Sequence, residues 1–315
     1  MKCGLGKIPN ELREGRIVTS PSKLGDILTS PKHYHWKHIL KRQERTDAMI
    51  EGSMIHKFIL EPDDFFNHYH MPLDKDLYLT TADKIKEFLK LSGEKTTGKK
   101  EELIERALAI NPDLKIYDVE IEKILASGKE IIKQSDVEML NEIKMSIEVN
   151  PFCKQLMNDS KFEVDGWFTD ELTDIIITFK IDIIKKTESR VFVIDLKKVR
   201  DVKLKEMNRW LYYSNTYIQL AMYREAVKQL FDAKDPICGV IACEVDGPYI
   251  AQPFAIDFGS IEAGEIQYKK ALIKLKECYE ANNWPAYDSS ITNMALPTWA
   301  IEQIDYDNTK DLEGV

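Results

Sequence analysis

Long apolar runs are missing from this chain. Its longest, such as Ile175–Ile177 and Val191–Ile194, fall far short of the roughly 20 residues a membrane span needs. Met1–Gly6 carries a lysine but no apolar stretch, so no secretory leader is expected. Five cysteines without a C-x-x-C spacing argue against a disulfide framework, a zinc ribbon or an iron–sulfur cluster, and place the chain in a reducing compartment, the cytoplasm. There is no P-loop, no G-x-G-x-x-G and no G-x-S-x-G, which sets aside phosphate-loop NTPases, dinucleotide enzymes and α/β-hydrolases. Internal repeats and low-complexity segments are also absent. Net positive charge is missing too: 44 basic against 53 acidic residues leave −9 over 315 residues, which is not the footprint of a protein that coats nucleic acid.

What remains is ordinary globular material, 43% hydrophobic and 31% charged, long enough for one large domain or two. The basic residues are local. Residues 1–45 hold ten Lys/Arg against four Asp/Glu, residues 185–209 nine against four, and residues 250–315 five against eleven. One face would tolerate phosphate and another would not, unless the surface is simply uneven.

The N-terminal third has helical spacing. Ser20-Pro21 and Ser30-Pro31 each look like a cap followed by proline in the first turn, and His33–Arg45 is expected to be helical. A helix is expected over 47–60, carrying Gly52, Ile55, His56 and Ile59, and ended by Glu61-Pro62. Gly52, one turn before His56, would leave room beside the imidazole. Residues 74–135 have the character of an insertion, with helices over 82–91 and 99–110 around a glycine-containing turn. From residue 161 the period shortens to two. Phe162–Phe168, Thr173–Lys185 and Arg190–Lys197 are expected strands, the last two a hairpin. A long helix over 204–231, strands over 237–245 and 249–256 and a helix over 259–281 complete an α/β core.

The chemistry sits in the hairpin. Asp182 and Asp195 lie within strongly apolar strand sequence, where a carboxylate is costly unless paired or bound to a cation. Lys197, two residues after Asp195, leaves the same strand face. Two carboxylates and a lysine at a strand end suit a hard divalent cation that activates water. Taken alone, an Asp-x-Lys could equally be an edge ion pair.

Ile181-Asp182 followed by Asp195-Leu196-Lys197 resembles the PD-(D/E)xK nuclease superfamily. The surrounding motifs are similar to its exonuclease VIII-like, phage recombination branch, related to lambda exonuclease and the RecB nuclease domain. They are Gly52–His56 with Leu60-Glu61-Pro62 and Phe65, then Phe162-Glu163, Gln219-x-x-x-Tyr223, Trp284–Tyr287 and Leu296–Trp299. The resemblance covers residues 20–72 and 155–300. It implies a restriction-endonuclease-like α/β core with a mixed sheet flanked by helices. By that reading, residues 1–73 are the N-terminal helical part, 74–135 a helical insertion, 136–300 the nuclease core and 301–315 an acidic tail.

The resemblance also implies roles. His56, Asp182, Asp195 and the Leu196 backbone carbonyl would bind Mg²⁺, with Mn²⁺ as a substitute. Lys197 would be the catalytic lysine and Glu163 an outer acid, although Asp165, two residues on, competes for that part. Gln219, Tyr223, Lys180 and Lys198 would lie near the DNA backbone. Lys198 and Val199 stand where the family often has threonine, and Lys180-Ile181 where it often has arginine before the aspartate. Residues 80–112 resemble a SAP motif, whose Gly98-Lys99-Lys100 turn would place two lysines and free N–H groups at a helix N-terminus; a helical hairpin that merely packs is the alternative. The implied activity is exonucleolytic, from duplex DNA ends, 5′→3′, by a homo-oligomeric ring supplying a single-strand annealing partner. The alternatives are a silent DNA-binding module of the same fold, or an endonuclease. His33, His35 and His38 have no metal-site spacing and are expected in solvent or near DNA.

Overall fold

A computed structural model describes residues 3–287, 290–302 and 304; most of the 301–315 tail lies outside the described residues. A seven-stranded mixed sheet forms the centre. Its strands are β1 (Cys3–Leu5), β2 (Val18–Thr19), β5 (Lys161–Thr169), β6 (Ile176–Lys186), β7 (Val191–Val199), β8 (Ile237–Glu244) and β9 (Ala251–Ala255). β3 (Tyr69–His70) and β4 (Glu130–Ile131) pair separately. The sheet order is β1-β5-β6-β7-β8-β9. All neighbours are antiparallel except β7 and β8, and β2 runs parallel to β6. The expected α/β core with a mixed sheet is the fold observed.

Both faces of the sheet are covered. One packs on the helices Pro21–Thr29, Thr216–Phe231 and Phe258–Ala281 through Leu24, Ile27, Ile177, Ile181, Val193, Leu220 and Leu272. The other packs on Asp47–Leu60, Pro62–His68 and Gln134–Val149 through Met54, Ile55, Phe65, Ile143, Ile183, Ile194 and Leu196. With both faces buried, the strands have few polar positions, and this makes the aspartates conspicuous. Cys238 and Cys243 lie in opposite cores, as their odd spacing requires.

One edge of β6 is shared. β5 pairs along β6 from Lys161↔Ile184 to Thr169↔Ile176. On the other edge, β7 pairs only from Ile183↔Ile194 to Lys186↔Val191, and β2 only at Ile176 and Ile177. Between these contacts β6 and β7 part, opening a wedge at the level of Asp182.

Two helical expectations need correction. The stretch from His33 does not continue to Arg45. Pro31–Tyr34 passes into a π-helical turn, His35–Ile39, and the chain leaves the helix through Lys41, whose φ of 52° is left-handed. The 204–231 helix is two, Leu204–Tyr213 and Thr216–Phe231, broken at Asn215 with φ 58°. Helical periodicity alone cannot see a single left-handed residue, which Asn tolerates better than most. Pro62 ends one helix and also opens the next as its first residue.

Within residues 74–135, Ala82–Leu91 and Lys100–Ile110 pack with each other and with Ile116 around Ile85, Leu89, Leu103 and Ala107. Trp284 stacks on Tyr34, ring planes 4° apart, and Pro285 O accepts from Lys32 N, tying this late segment to the N-terminal helices. The three histidines belong to the same scaffold. His33 bonds Ser30 at 2.6 Å and stays exposed to solvent as expected, whereas His38, bonded to Asp26 at 2.7 Å, and His35, packed on Trp284, are half-buried.

Candidate active site

Where β6 and β7 part, backbone groups lose their ladder partners and must find others. Side chains supply them. Leu196 N donates to Asp182 Oδ2 at 2.7 Å, Leu196 O lies 2.7 Å from His56 Nε2, and Lys180 O accepts from the Tyr223 hydroxyl at 2.8 Å. Mending the wedge thus draws His56, Asp182 and Tyr223 to one point. The Leu196 carbonyl, expected to face a cation, spends one lone pair on His56. That contact fixes Nε2 as the protonated nitrogen and turns Nδ1 inward.

Glu163 arrives by a different route. It is left-handed, φ 52°, and its rung opposite Asp182 is the one missing from the β5–β6 ladder. The strands change faces here. Ile177, Phe179 and Ile181 point into one core, whereas Ile183 points into the other. Asp165, which simple alternation puts beside Glu163, is exposed and opposite Lys180, and only Glu163 joins the cluster. His56, Glu163 and Asp182 offer ligand atoms all within 4.8 Å of one another, the His56 Nδ1 lying 3.6 Å from Asp182 and 3.9 Å from Glu163. The expected outer acid therefore stands in the tight trio.

Asp195 is 0% exposed and lies outside that trio, its Oδ2 2.6 Å from Lys197 Nζ. Gln219 joins the two, donating to Asp195 Oδ1 at 3.3 Å and accepting from Lys197 Nζ at 3.3 Å. Gln219 also donates to the Tyr223 oxygen at 2.8 Å. Tyr223 is 5% exposed, and its hydroxyl accepts from Gln219 while its one proton goes to Lys180 O.

The electrostatics follow from burial. Burial raises the Asp182 pKa, and the Asp195 charge raises it further. Burial would lower His56 and Lys197; the surrounding carboxylates outweigh it and hold both above their usual values. For Glu163, burial works upward, and His56 and Lys180 reverse it.

Among the described residues, two buried side-chain oxygens lack a hydrogen-bond partner, Glu163 Oε1 and Asp195 Oδ2. The Lys197 ammonium is near the latter but out of line. Orphaned carboxylate oxygens beside an inward imidazole nitrogen are the donor set a divalent cation needs, so the residues fit such an ion.

The candidate phosphate lysines are less free than the sequence suggested. Lys180 pairs with Glu163 and Glu61, Lys198 with Glu51, and Lys100 with Asp118. Lys99 is exposed at its helix N-terminus, but Glu101 and Glu102 occupy the first turn there. Neither Lys99 nor Lys100 belongs to the cluster around Asp182. Gly52 does not make space for His56, since an added Cβ would meet only Lys198, 3.8 Å away.

A splayed sheet holding acid, acid and lysine on consecutive strands defines a PD-(D/E)xK-type core. Residues 20–294 match the family described as a PDDEXK-like domain of unknown function, DUF3799, and the chain belongs to that family. Among solved structures it is similar to a candidate exonuclease from Eubacterium rectale at TM-score 0.53 and 12% identity, covering 94% of this chain and 98% of that one. The protein SSO0001 aligns at TM-score 0.26 and 14% identity, over 75% and 88% of the two chains. The first of these likenesses shows a shared fold. No curated protein matches the chain. No helix among the described residues is long and apolar enough to cross a membrane.

Proposed function

We propose that this chain is a divalent-metal-dependent exodeoxyribonuclease that hydrolyses phosphodiester bonds from duplex DNA ends, with 5′→3′ polarity. The observation that carries the reading is a pair of buried carboxylate oxygens without a hydrogen-bond donor, Glu163 Oε1, 3.9 Å from the inward-facing His56 nitrogen, and Asp195 Oδ2, ion-paired with Lys197. Buried charge of this kind is expensive in a scaffold and useful in a cation site. The family membership supports the same reaction class, and the Eubacterium rectale neighbour's description supports the exonucleolytic form.

His56, Glu163 and Asp182, with Asp195 beside them, would hold Mg²⁺, Mn²⁺ substituting. Such an ion supplies a Lewis acid for the phosphoryl oxygen and a lowered pKa for bound water. The chain's own residues do the rest. Lys197 stays protonated against Asp195 and offsets charge building on the phosphoryl oxygens. Gln219 fixes the Lys197–Asp195 geometry. His56, held by Leu196 O, keeps Nδ1 directed at the carboxylates. The assembly is proposed to be a homo-oligomeric ring whose product is a single strand for an annealing partner. The 82–110 hairpin is proposed as a second DNA contact through Lys99.

The test is release of acid-soluble nucleotide from linear duplex DNA with Mg²⁺, against EDTA and Asp195→Ala controls. Cleavage in the Asp195→Ala variant, or none by the folded parent with Mg²⁺ or Mn²⁺, refutes it. Circular duplex should resist while linear duplex is consumed, and label should leave the 5′ end first. A monomer by light scattering would remove the ring.

A further inference from the structure

Beside the carboxylate cluster, and distinct from it, lies a groove of about 780 Å³. Its floor is the end of β7 at Lys198, Val199 and Arg200, immediately beyond Lys197. One wall is the start of the His56-bearing helix, at Ala48 and Glu51. The other is the helix Leu204–Tyr213, at Arg209, Trp210 and Tyr213. The groove therefore runs off the strand that carries the lysine, between the helix that delivers His56 and the one leading into the Gln219 helix.

Two features decide what fits there. The first is exposed aromatic surface. Tyr213 is 78% exposed and Tyr212 66%, edge to face at 5.3 Å, and Tyr212 stacks in turn on Tyr217. Tyr213 therefore leaves a ring face open to a ligand at the wall of the groove. The second is charge balance. Lys198, Arg200 and Arg209 face Glu51, Asp201, Glu206 and Asp246. Lys198 already pairs with Glu51, and Arg209 lies 3.9 Å from Glu206. A near-neutral groove does not attract a duplex by its phosphates. A groove with an aromatic wall accepts unstacked bases, because every base has a π-face.

We propose that this groove binds a single-stranded segment of the substrate strand, with a base stacked on Tyr213, and leads it to Lys197. The inference rests on the nuclease reading for what happens at the strand's end, but the binding itself is measured without cleavage. Tyr213 positions the strand; it is not a catalytic residue.

The experiment is fluorescence anisotropy of a labelled oligothymidylate with the full chain in EDTA, comparing parent, Tyr213→Ala and Tyr213→Phe. The side chain is exposed, so the fold should survive, and unchanged far-UV circular dichroism and melting will show it. Tyr213→Ala should weaken binding about 5- to 150-fold. Tyr213→Phe should bind like the parent, since the ring and not the hydroxyl does the stacking. The ratio of parent to Tyr213→Ala affinity should hold between 50 and 200 mM salt, because stacking releases no counterions. On linear duplex, Tyr213→Ala should raise KM with little change in kcat. No binding by the parent, unchanged binding by Tyr213→Ala, or equal loss in Tyr213→Phe would overturn the groove assignment. Nuclease activity of the parent in the same preparation reports separately on the reaction.

Discussion

Asp182→Asn should stabilise the metal-free protein while abolishing its activity. The side chain is 6% exposed and accepts Leu196 N–H at 2.7 Å, a bond that the Asn oxygen can keep. What the substitution removes is a buried titrating carboxyl. Burial and the facing Asp195 raise its pKa despite His56 and Lys197, so at neutral pH folding must either take up a proton or keep a buried charge there, a net burden on the fold. Relieving it is worth on the order of 1–3 kcal/mol. At about 2.1 cal/mol/K per residue, a chain of this length has an unfolding entropy of about 0.7 kcal/mol/K. The metal-free Tm should therefore rise by about 2–5 °C. A cation at 100 times its Kd adds about 2.7 kcal/mol, or about 4 °C, to the parent, and that increment should largely vanish in the variant. Differential scanning calorimetry in EDTA and in Mn²⁺ reads both numbers, with DNA hydrolysis measured alongside. A variant that melts no higher than the parent in EDTA, or keeps the full Mn²⁺ shift, refutes the view that Asp182 is strained for the sake of a cation.

Other consequences follow from neighbouring contacts. Lys197→Met should lower kcat by about 10²–10⁴-fold and leave the Mn²⁺-induced Tm shift in place, since Lys197 is no ligand; loss of the shift would count against its assigned part. Tyr223→Phe leaves Lys180 O without its donor and Gln219 without its acceptor, so it should cost about 1–3 kcal/mol and reduce kcat more than it changes KM; an unchanged Tm would contradict the wedge-mending role. Gly264→Ala would place a methyl 2.4 Å from Tyr217 O, pressing on the helix that carries Gln219, and should cost about 1–3 kcal/mol by thermal melting. Asp26 would be raised by burial alone, but hydrogen bonds from His38 and Lys37 bring it below the usual carboxylate pKa. Its contribution is present above the unfolded value of about 3.9 and is lost as pH falls through the depressed one, so Asp26→Asn should lower Tm at pH 7 and converge with the parent in acid.

The sequence by itself determined a good deal. Apolar strand sequence interrupted by Asp182 and by Asp195-Leu196-Lys197 marked the candidate site, because charge in a doubly covered sheet needs a reason. The ordered motifs around it gave the superfamily and the α/β core. Local pattern also marked helix starts where an oxygen-bearing cap stands before a first-turn proline, as at Ser20-Pro21 and Ser30-Pro31. What it did not contain was the outcome of competition between distant parts of the chain. Left-handed backbone at Asn215 splits a helix whose periodicity runs straight through the break. The same conformation at Glu163 reverses the faces of two strands and chooses Glu163 over Asp165, a choice alternation could not make. Only the tertiary structure shows that β7 and β2 divide one edge of β6, and that His56, Asp182 and Tyr223 meet because they satisfy the backbone groups which that division leaves unpaired. Residue types and spacing set which chemistry is affordable; the parting of two strands, a non-local event, decided where each side chain would stand to perform it.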